Sequence, residues 1–201
     1  MQPNKILRKF YPKAVWDIKT NEPIIYLTFD DGPIPGLTEW ILDELNRYNA
    51  KATFFCVGEN IIRNQNIFER IKNEGHSVAN HTQTHLKGLH CNKEEYMAST
   101  EACEKFTNTK LFRPPYGQLR KSQYKDLLQN NYKIIMWSII SYDYEKISPE
   151  QCYNNVTKHL KNGSIILFHD NVKAEANVKY ALANTLKHYT ALGYRFESIN
   201  F

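Results

Sequence analysis

Two adjacent acids are the first residues in the chain whose types and spacing can do chemistry. The stretch YLTFDDGP ends a hydrophobic run on Asp30 and Asp31 and then turns at Gly32-Pro33. Two carboxylates this close repel each other unless a cation or a hydrogen-bond donor stabilises them. The pair therefore predicts either a metal site or a carboxyl group with a raised pKa. A polar turn that only ends a strand is the alternative from this tetrapeptide alone.

A pair of histidines follows in the stretch NHTQTHL. His81 and His85 stand four residues apart, a spacing that predicts both imidazoles on one face of a helical turn. One aspartate with two histidines makes a three-ligand zinc set that leaves a position for water. A surface histidine pair is the alternative when the spacing is considered by itself.

An arginine and a stiff loop form the third chemical element, in FRPPYGQ. Arg113 is suited to pair with a carboxylate, and the two prolines restrict the loop that carries Tyr116. A stiff loop holds its backbone N–H groups in fixed directions, as an oxyanion site requires. A turn with a solvated arginine remains the alternative.

The stretches MWSIISYDY and ILFHDN supply an acid and an imidazole. Asp143 falls just after the fifth predicted strand, and His169 falls at the end of the sixth. A carboxylate near an imidazole orients the ring and raises its pKa, which suits His169 to serve as a general acid. A lone histidine at a strand end is otherwise an ordinary polar residue.

The segments that must position these residues alternate between two periodicities. Seven segments are rich in apolar and β-branched residues: PIIYLTF, ATFFCV, HSVAN, KLFR, KIIMWS, SIILFH and YRFESI. Stretches of helical periodicity separate most of them. This alternation predicts a parallel sheet with crossover helices. We therefore predict an α/β fold, a distorted or incomplete (β/α) barrel with about seven parallel strands. Chemistry in such folds collects at the carboxyl ends of strands.

Length and composition fit one domain. The chain has 201 residues and is 42% hydrophobic, so we predict a single domain over residues 1–201 with residues 1–22 as a lead-in segment. No apolar stretch is long enough for a membrane span, and the N-terminus lacks a secretory signal, so a cytoplasmic location is expected. The net charge of +5 is spread among 21 acids, which argues against a nucleic-acid partner. No obligate protein partner is evident, and the four cysteines, which lack CxxC spacing, are interpreted as free thiols.

The order of these motifs resembles a known family. TFDDGP, HTxxH, RPPYG, an Asp-aromatic pair and LFHD follow one another as in the polysaccharide deacetylases, carbohydrate esterase family four, also called the NodB-homology family. The resemblance runs from about residue 24 to residue 170. It implies a metal-dependent hydrolase that removes N-acetyl groups from chitin-like or peptidoglycan-like glycans on a distorted barrel. The implied partner is an acetylated carbohydrate substrate.

The resemblance also implies a role for each matching residue. The metal triad falls on Asp31, His81 and His85, and the catalytic base on Asp30, held ionised by Arg113. The other implied positions are a backbone N–H at Tyr116 for the oxyanion, His169 as general acid supported by Asp143, Leu167 lining the pocket for the acetyl methyl group, and Tyr144 as an aromatic wall.

Two departures from the family pattern concern the fourth motif. Many members carry Asp-x-x-Asp-Trp there, whereas this chain has Ile140 in place of the first acid and Tyr144 in place of the tryptophan. The tyrosine keeps an aromatic wall and adds a hydroxyl, which can alter the sugar subsite. These two departures favour an unusual substrate.

Two other functions stay open at this point. One is a catalytically silent sugar-binding domain that keeps the barrel without turnover. The other is a hydrolase of a non-sugar C–N bond on the same fold. The cofactor is expected to be a divalent metal, Zn²⁺ first, although an Asp-His-His set also accepts Co²⁺ or Ni²⁺.

Overall fold

The structure is a computed structural model and describes residues 5–200. Its described strands are β1 (Ile24–Asp30), β2 (Ala52–Cys56), β3 (Ser77–Asn80), β4 (Leu111–Phe112), β5 (Lys133–Ile134), β6 (Ile139–Ile140), β7 (Ile165–His169) and β8 (Arg195–Phe196). Its described helices are α1 (Lys5–Phe10), α2 (Leu37–Arg47), α3 (Gly58–Arg63), α4 (Gln65–Asn73), α5 (Lys93–Thr107), α6 (Lys121–Gln129), α7 (Pro149–Thr157) and α8 (Glu175–Ala191). Strands and helices alternate along most of the chain.

The strands form a parallel sheet that curves into an incomplete barrel. Their order is β5-β4-β3-β2-β1-β7-β6, and β8 pairs with β1 beside this path. Pairings between these strands are parallel, so their carboxyl ends share one rim. The predicted α/β fold, an incomplete (β/α) barrel, is confirmed.

One predicted strand is divided in the structure. The sequence predicts a single strand over KIIMWS, whereas β5 occupies only its start and β6 follows it. The segment divides because Val15 of the lead-in bonds to Ile134 and Met136, while β6 pairs with β7. His169 therefore ends the seventh strand, and the prediction that it ends the sixth is wrong.

Strand alternation decides which side chains reach the barrel interior. Phe29 and Phe54 stack with ring centroids 5.1 Å apart and belong to the core between the sheet and helices such as α2 and α8. Successive side chains of a strand face opposite sides, so Asp30 lies on the face opposite Phe29. Since β1 and β7 pair with Asp30 opposite His169, the two polar residues end neighbouring strands on the interior face.

The lead-in segment packs against the barrel. Residues 1–4 of the predicted segment lie outside the described residues, and the rest includes α1. The Tyr11 hydroxyl donates to the Leu119 carbonyl at 3.1 Å, and the Trp16 ring meets Trp137 edge-on at 6.4 Å. These contacts join the lead-in to the interior of the barrel.

No helix among residues 5–200 is long and apolar enough to cross a membrane. The four cysteines are free and buried. The cytoplasmic location stays a prediction.

Candidate active site

A cavity of about 490 Å³ opens at the carboxyl rim of the sheet. Eight of the ten predicted site residues line it: Asp30, Asp31, His81, His85, Tyr116, Tyr144, Leu167 and His169. The other two, Arg113 and Asp143, are completely buried and bond to residues in the lining. The structure thus brings all ten together.

Asp31, His81 and His85 form the metal-type cluster of this site. Their ligand atoms lie within 4.8 Å of one another. Nε2 of His85 is 3.1 Å and Nε2 of His81 is 3.7 Å from Oδ1 of Asp31. Among residues 5–200, these three side chains are the acids, histidines and cysteines that lie close enough together to hold one ion.

The histidines do not lie on a helical turn, so that prediction is wrong. The chain after β3 is an irregular loop, in which Thr82 and His85 have positive φ values of 65° and 54°. The loop is held by Asn80, whose side chain accepts from the Thr82 N–H at 2.9 Å. The left-handed residues bring the two rings to a centroid distance of 5.1 Å.

The protonation of the cluster fits a metal ion. Nδ1 of His81 lies 2.7 Å from the Arg113 carbonyl, which accepts its proton and leaves the Nε2 lone pair free. Burial lowers the pKa of His81 to about 4, so the ring is neutral at neutral pH. Oδ1 of Asp31 is buried without a hydrogen-bond partner. Two nitrogens and one unsatisfied carboxylate oxygen suit a divalent ion such as Zn²⁺.

The raised-pKa alternative for the acid pair is wrong for Asp31. Burial by itself raises the pKa of its carboxyl, but the nearby imidazoles of His85 and His169 lower that pKa well below its usual range. An ionised carboxylate is the state that binds a cation.

Asp30 is fixed by a buried arginine. Nη1 of Arg113 donates to Oδ1 of Asp30 at 2.7 Å and to the Thr28 hydroxyl at 2.8 Å. The remaining guanidinium nitrogens donate to the carbonyls of Ile135 and Met136 at 3.0 and 2.8 Å. The guanidinium therefore holds one oxygen of Asp30, and the other oxygen lies 3.8 Å from Nε2 of His81.

His169 is held by Asp143. Nδ1 and the backbone N–H of His169 donate to the two carboxylate oxygens at 2.8 and 2.7 Å. Although burial lowers the pKa of His169, the charge and hydrogen bond of Asp143 raise it to about 9. The ring is therefore protonated at neutral pH. Tyr144 packs edge-on against it at 4.8 Å.

The RPPYG loop places Tyr116 at the mouth of the cavity. Its side chain is 59% exposed, its φ is 61°, and its ring meets His85 at 4.8 Å. The next residue must be glycine, because a Cβ at Gly117 would lie 2.6 Å from the Trp137 ring.

Two functional residues were missed by sequence reasoning, although both stand in the LFHDN stretch. Asp170 is buried and accepts from the Gly32 N–H at 2.8 Å and the Thr38 hydroxyl at 2.6 Å, so it fixes the turn that carries the paired acids. Burial raises its pKa to about 8. Asn171 donates to Oδ2 of Asp31 at 2.6 Å. The only available signal was their adjacency to His169.

The chain folds as a parallel, incompletely closed (β/α) barrel with acids and imidazoles at its carboxyl rim. In this class of barrel the functional site lies at the carboxyl ends of the strands. The polysaccharide deacetylase family model matches residues 17–135. The chain belongs to the polysaccharide deacetylase family.

Three relatives give the extent of the likeness. A peptidoglycan-N-acetylglucosamine deacetylase of Bacillus cereus is 34% identical over 93% of this chain and 91% of its own. A chitooligosaccharide deacetylase of Rhizobium leguminosarum is 30% identical over 88% of this chain and 80% of its own. The crystal structure of the Bc1960 peptidoglycan N-acetylglucosamine deacetylase superposes with a TM-score of 0.88 at 34% identity, covering 93% and 91% of the two chains.

Proposed function

We propose that the protein is a metal-dependent hydrolase that removes N-acetyl groups from acetylated amino sugars in peptidoglycan-like or chitin-like glycans. The observation that carries the proposal is the arrangement around one cavity. The Asp31, His81 and His85 cluster shares this cavity with a carboxylate held by arginine, Asp30, and an imidazole held by a carboxylate, His169. The names of the curated relatives support the same substrate class.

Asp31, His81 and His85 would hold the divalent ion, and we propose Zn²⁺. Neutral imidazole nitrogens and one carboxylate oxygen are ligands that this ion takes readily. When bound, such an ion polarises the acetyl carbonyl and lowers the pKa of water. The donor set also suits Co²⁺ and Ni²⁺.

Asp30 is the proposed general base. It accepts a proton from the attacking water as the water oxygen forms a bond to the acetyl carbon. Arg113 fixes one oxygen of this carboxylate at 2.7 Å, which leaves the other oxygen for the proton.

The oxyanion and the leaving group are assigned to different residues of the cavity. The backbone N–H of Tyr116 donates to the carbonyl oxygen as it becomes negative, a contribution on the order of 3 kcal/mol. His169 donates its proton to the amide nitrogen as the C–N bond breaks, since an amine leaves poorly without a proton. The products are acetate and the free amino sugar. Proton transfer back from Asp30 restores His169.

The acyl group occupies the apolar part of the cavity. Leu167 and Ile140 line it and are buried, and Tyr144 forms an aromatic wall beside His169. An apolar pocket of this type suits a methyl group. We also propose that residues 1–201 act as one catalytic unit, supported by the lead-in contacts to the barrel.

Acetate release tests the proposal. N-acetylglucosamine oligomers, peptidoglycan fragments and a panel of non-sugar amides should be compared, with and without a chelator. We expect release from the sugars that a chelator abolishes, and a loss of about 10²- to 10⁴-fold in Asp30→Asn. Glycan binding without release would indicate a silent binding domain, and faster release from the amides would indicate a different C–N bond. Release unaffected by Asp30→Asn would refute the assigned base.

A further inference from the structure

The two oxygens of Asp31 have different surroundings. Oδ1 faces the two imidazoles and has no hydrogen-bond partner, whereas Oδ2 accepts a hydrogen bond from the Asn171 side-chain amide at 2.6 Å. A carboxylate with one oxygen engaged in this way presents a single oxygen to the cluster.

The direction of the Asn171 amide is determined by a second contact. Its Oδ1 accepts from the Ala174 N–H at 3.1 Å, and a backbone N–H can only donate. The oxygen end is therefore turned toward Ala174, and the NH₂ end must face Asp31. Asn171 thus acts as a donor to the carboxylate.

The backbone of Asp31 is held separately from its side chain. The Asn60 side chain donates to the Asp31 carbonyl at 2.7 Å, and the Asp31 N–H donates to the Phe55 carbonyl at 3.3 Å. The residue also adopts a positive φ of 89°. These contacts place Cα, but rotation of the carboxylate is limited by Asn171.

We propose that Asn171 is a positioning residue that fixes the Asp31 carboxylate and directs Oδ1 alone to the metal ion. The inference rests on the proposed function in one respect, that the cluster binds a divalent ion. Partners that hydrogen-bond a ligating carboxylate typically contribute about 10- to 100-fold to metal affinity.

Zn²⁺ affinity tests the inference, measured by competition with a chromophoric chelator on the full chain. Asn171→Ser keeps an oxygen that can accept from the Ala174 N–H but removes the donor to Asp31, and Asn171→Ala removes both. We expect both variants to weaken Zn²⁺ binding about 10- to 100-fold and to change the visible absorption of the Co²⁺ form. The matched control is Asn184→Ser on α8, whose amide donates to the Tyr180 carbonyl instead.

The outcomes separate this inference from the proposed function. If Asn171→Ser binds Zn²⁺ as tightly as the unchanged protein, the amide only supports the turn and the inference is wrong. Thermal unfolding of each variant establishes that it is folded when affinity is measured. If the unchanged protein itself takes up no Zn²⁺, the proposed function fails.

Discussion

At the scale of single residues, three polar side chains of the cavity are each held by one of their two polar atoms. Arg113 holds Oδ1 of Asp30, the Arg113 carbonyl holds Nδ1 of His81, and Asp143 holds Nδ1 of His169. The second polar atom of each side chain remains available. Arg113 contacts two of these side chains, Asp30 through its guanidinium and His81 through its backbone carbonyl.

The effect of pH on activity follows from His169. Its acid form is the proposed proton donor, so a pKa raised to about 9 extends activity to higher pH. Burial opposes this shift and Asp143 supplies it. Asp143→Asn should therefore move the alkaline limb of the kcat/KM profile to lower pH, by about 1 to 3 pH units. Initial rates of acetate release from pH 5 to 10 measure the limb.

The control for this variant is Glu145→Gln, which removes an exposed carboxylate two residues away. It should leave the limb in place. An alkaline limb that is the same in Asp143→Asn as in the unchanged protein would mean that another group donates the proton.

Sequence reasoning could predict the residues that belong to recognisable motifs, including Asp143 and His169. It missed Asn171 and Asp170 because an acid and an amide before a helix are ordinary turn residues. Only the fold shows that they contact the turn and the carboxylate contributed by β1, about 140 residues earlier in the chain. The choice of nitrogen on His81 likewise depends on a carbonyl 32 residues away.

At the scale of elements, most of the strands were predictable and the loops were not. Hydrophobic strands ending on polar residues predict the rim of a parallel barrel, and Asp30 and His169 lie there as neighbours. The His81 and His85 spacing predicts a helical turn by periodicity, yet positive φ at Thr82 and His85 makes it a loop. Left-handed conformations of non-glycine residues depend on tertiary contacts and leave little trace in sequence.

A substitution in the turn after β1 tests how this turn positions the metal cluster. A Cβ at Gly32 would lie 1.8 Å from Oδ2 of Asp170, so Gly32→Ala must displace the turn or the acid. We expect a stability loss of about 1–3 kcal/mol together with at least a 10-fold weaker Zn²⁺ affinity. Denaturant unfolding and chelator competition measure the two effects.

A glycine variant outside the site separates the effect of backbone strain on stability from the effect of the turn on Zn²⁺ affinity. Gly75 has a φ of +79°, and a Cβ there would meet only the end of the Lys51 side chain at 3.7 Å. Gly75→Ala should cost about 1–2 kcal/mol and leave Zn²⁺ affinity unchanged. Equal affinity losses in the two variants would contradict a specific role for the turn.

At the scale of the whole molecule, the described part of the lead-in segment packs against the barrel. Tyr11 is 7% exposed while its neighbour Phe10 is 68% exposed. Tyr11→Ala should therefore lower the free energy of unfolding by about 3–5 kcal/mol, whereas Phe10→Ala should change it by less than about 0.5 kcal/mol. Urea unfolding measures both. Similar small effects would mean that the lead-in contributes nothing to the fold.

We propose that the two adjacent acids have different roles, Asp31 holding the ion with the two histidines and Asp30 transferring the proton. Calorimetric titration of Zn²⁺ into the metal-free protein, Asp31→Asn and Asp30→Asn tests it most directly. We expect one equivalent to bind the unchanged protein and Asp30→Asn, and none to bind Asp31→Asn at concentrations that saturate the unchanged protein. Uptake that survives Asp31→Asn, or that is lost in Asp30→Asn, would contradict the account.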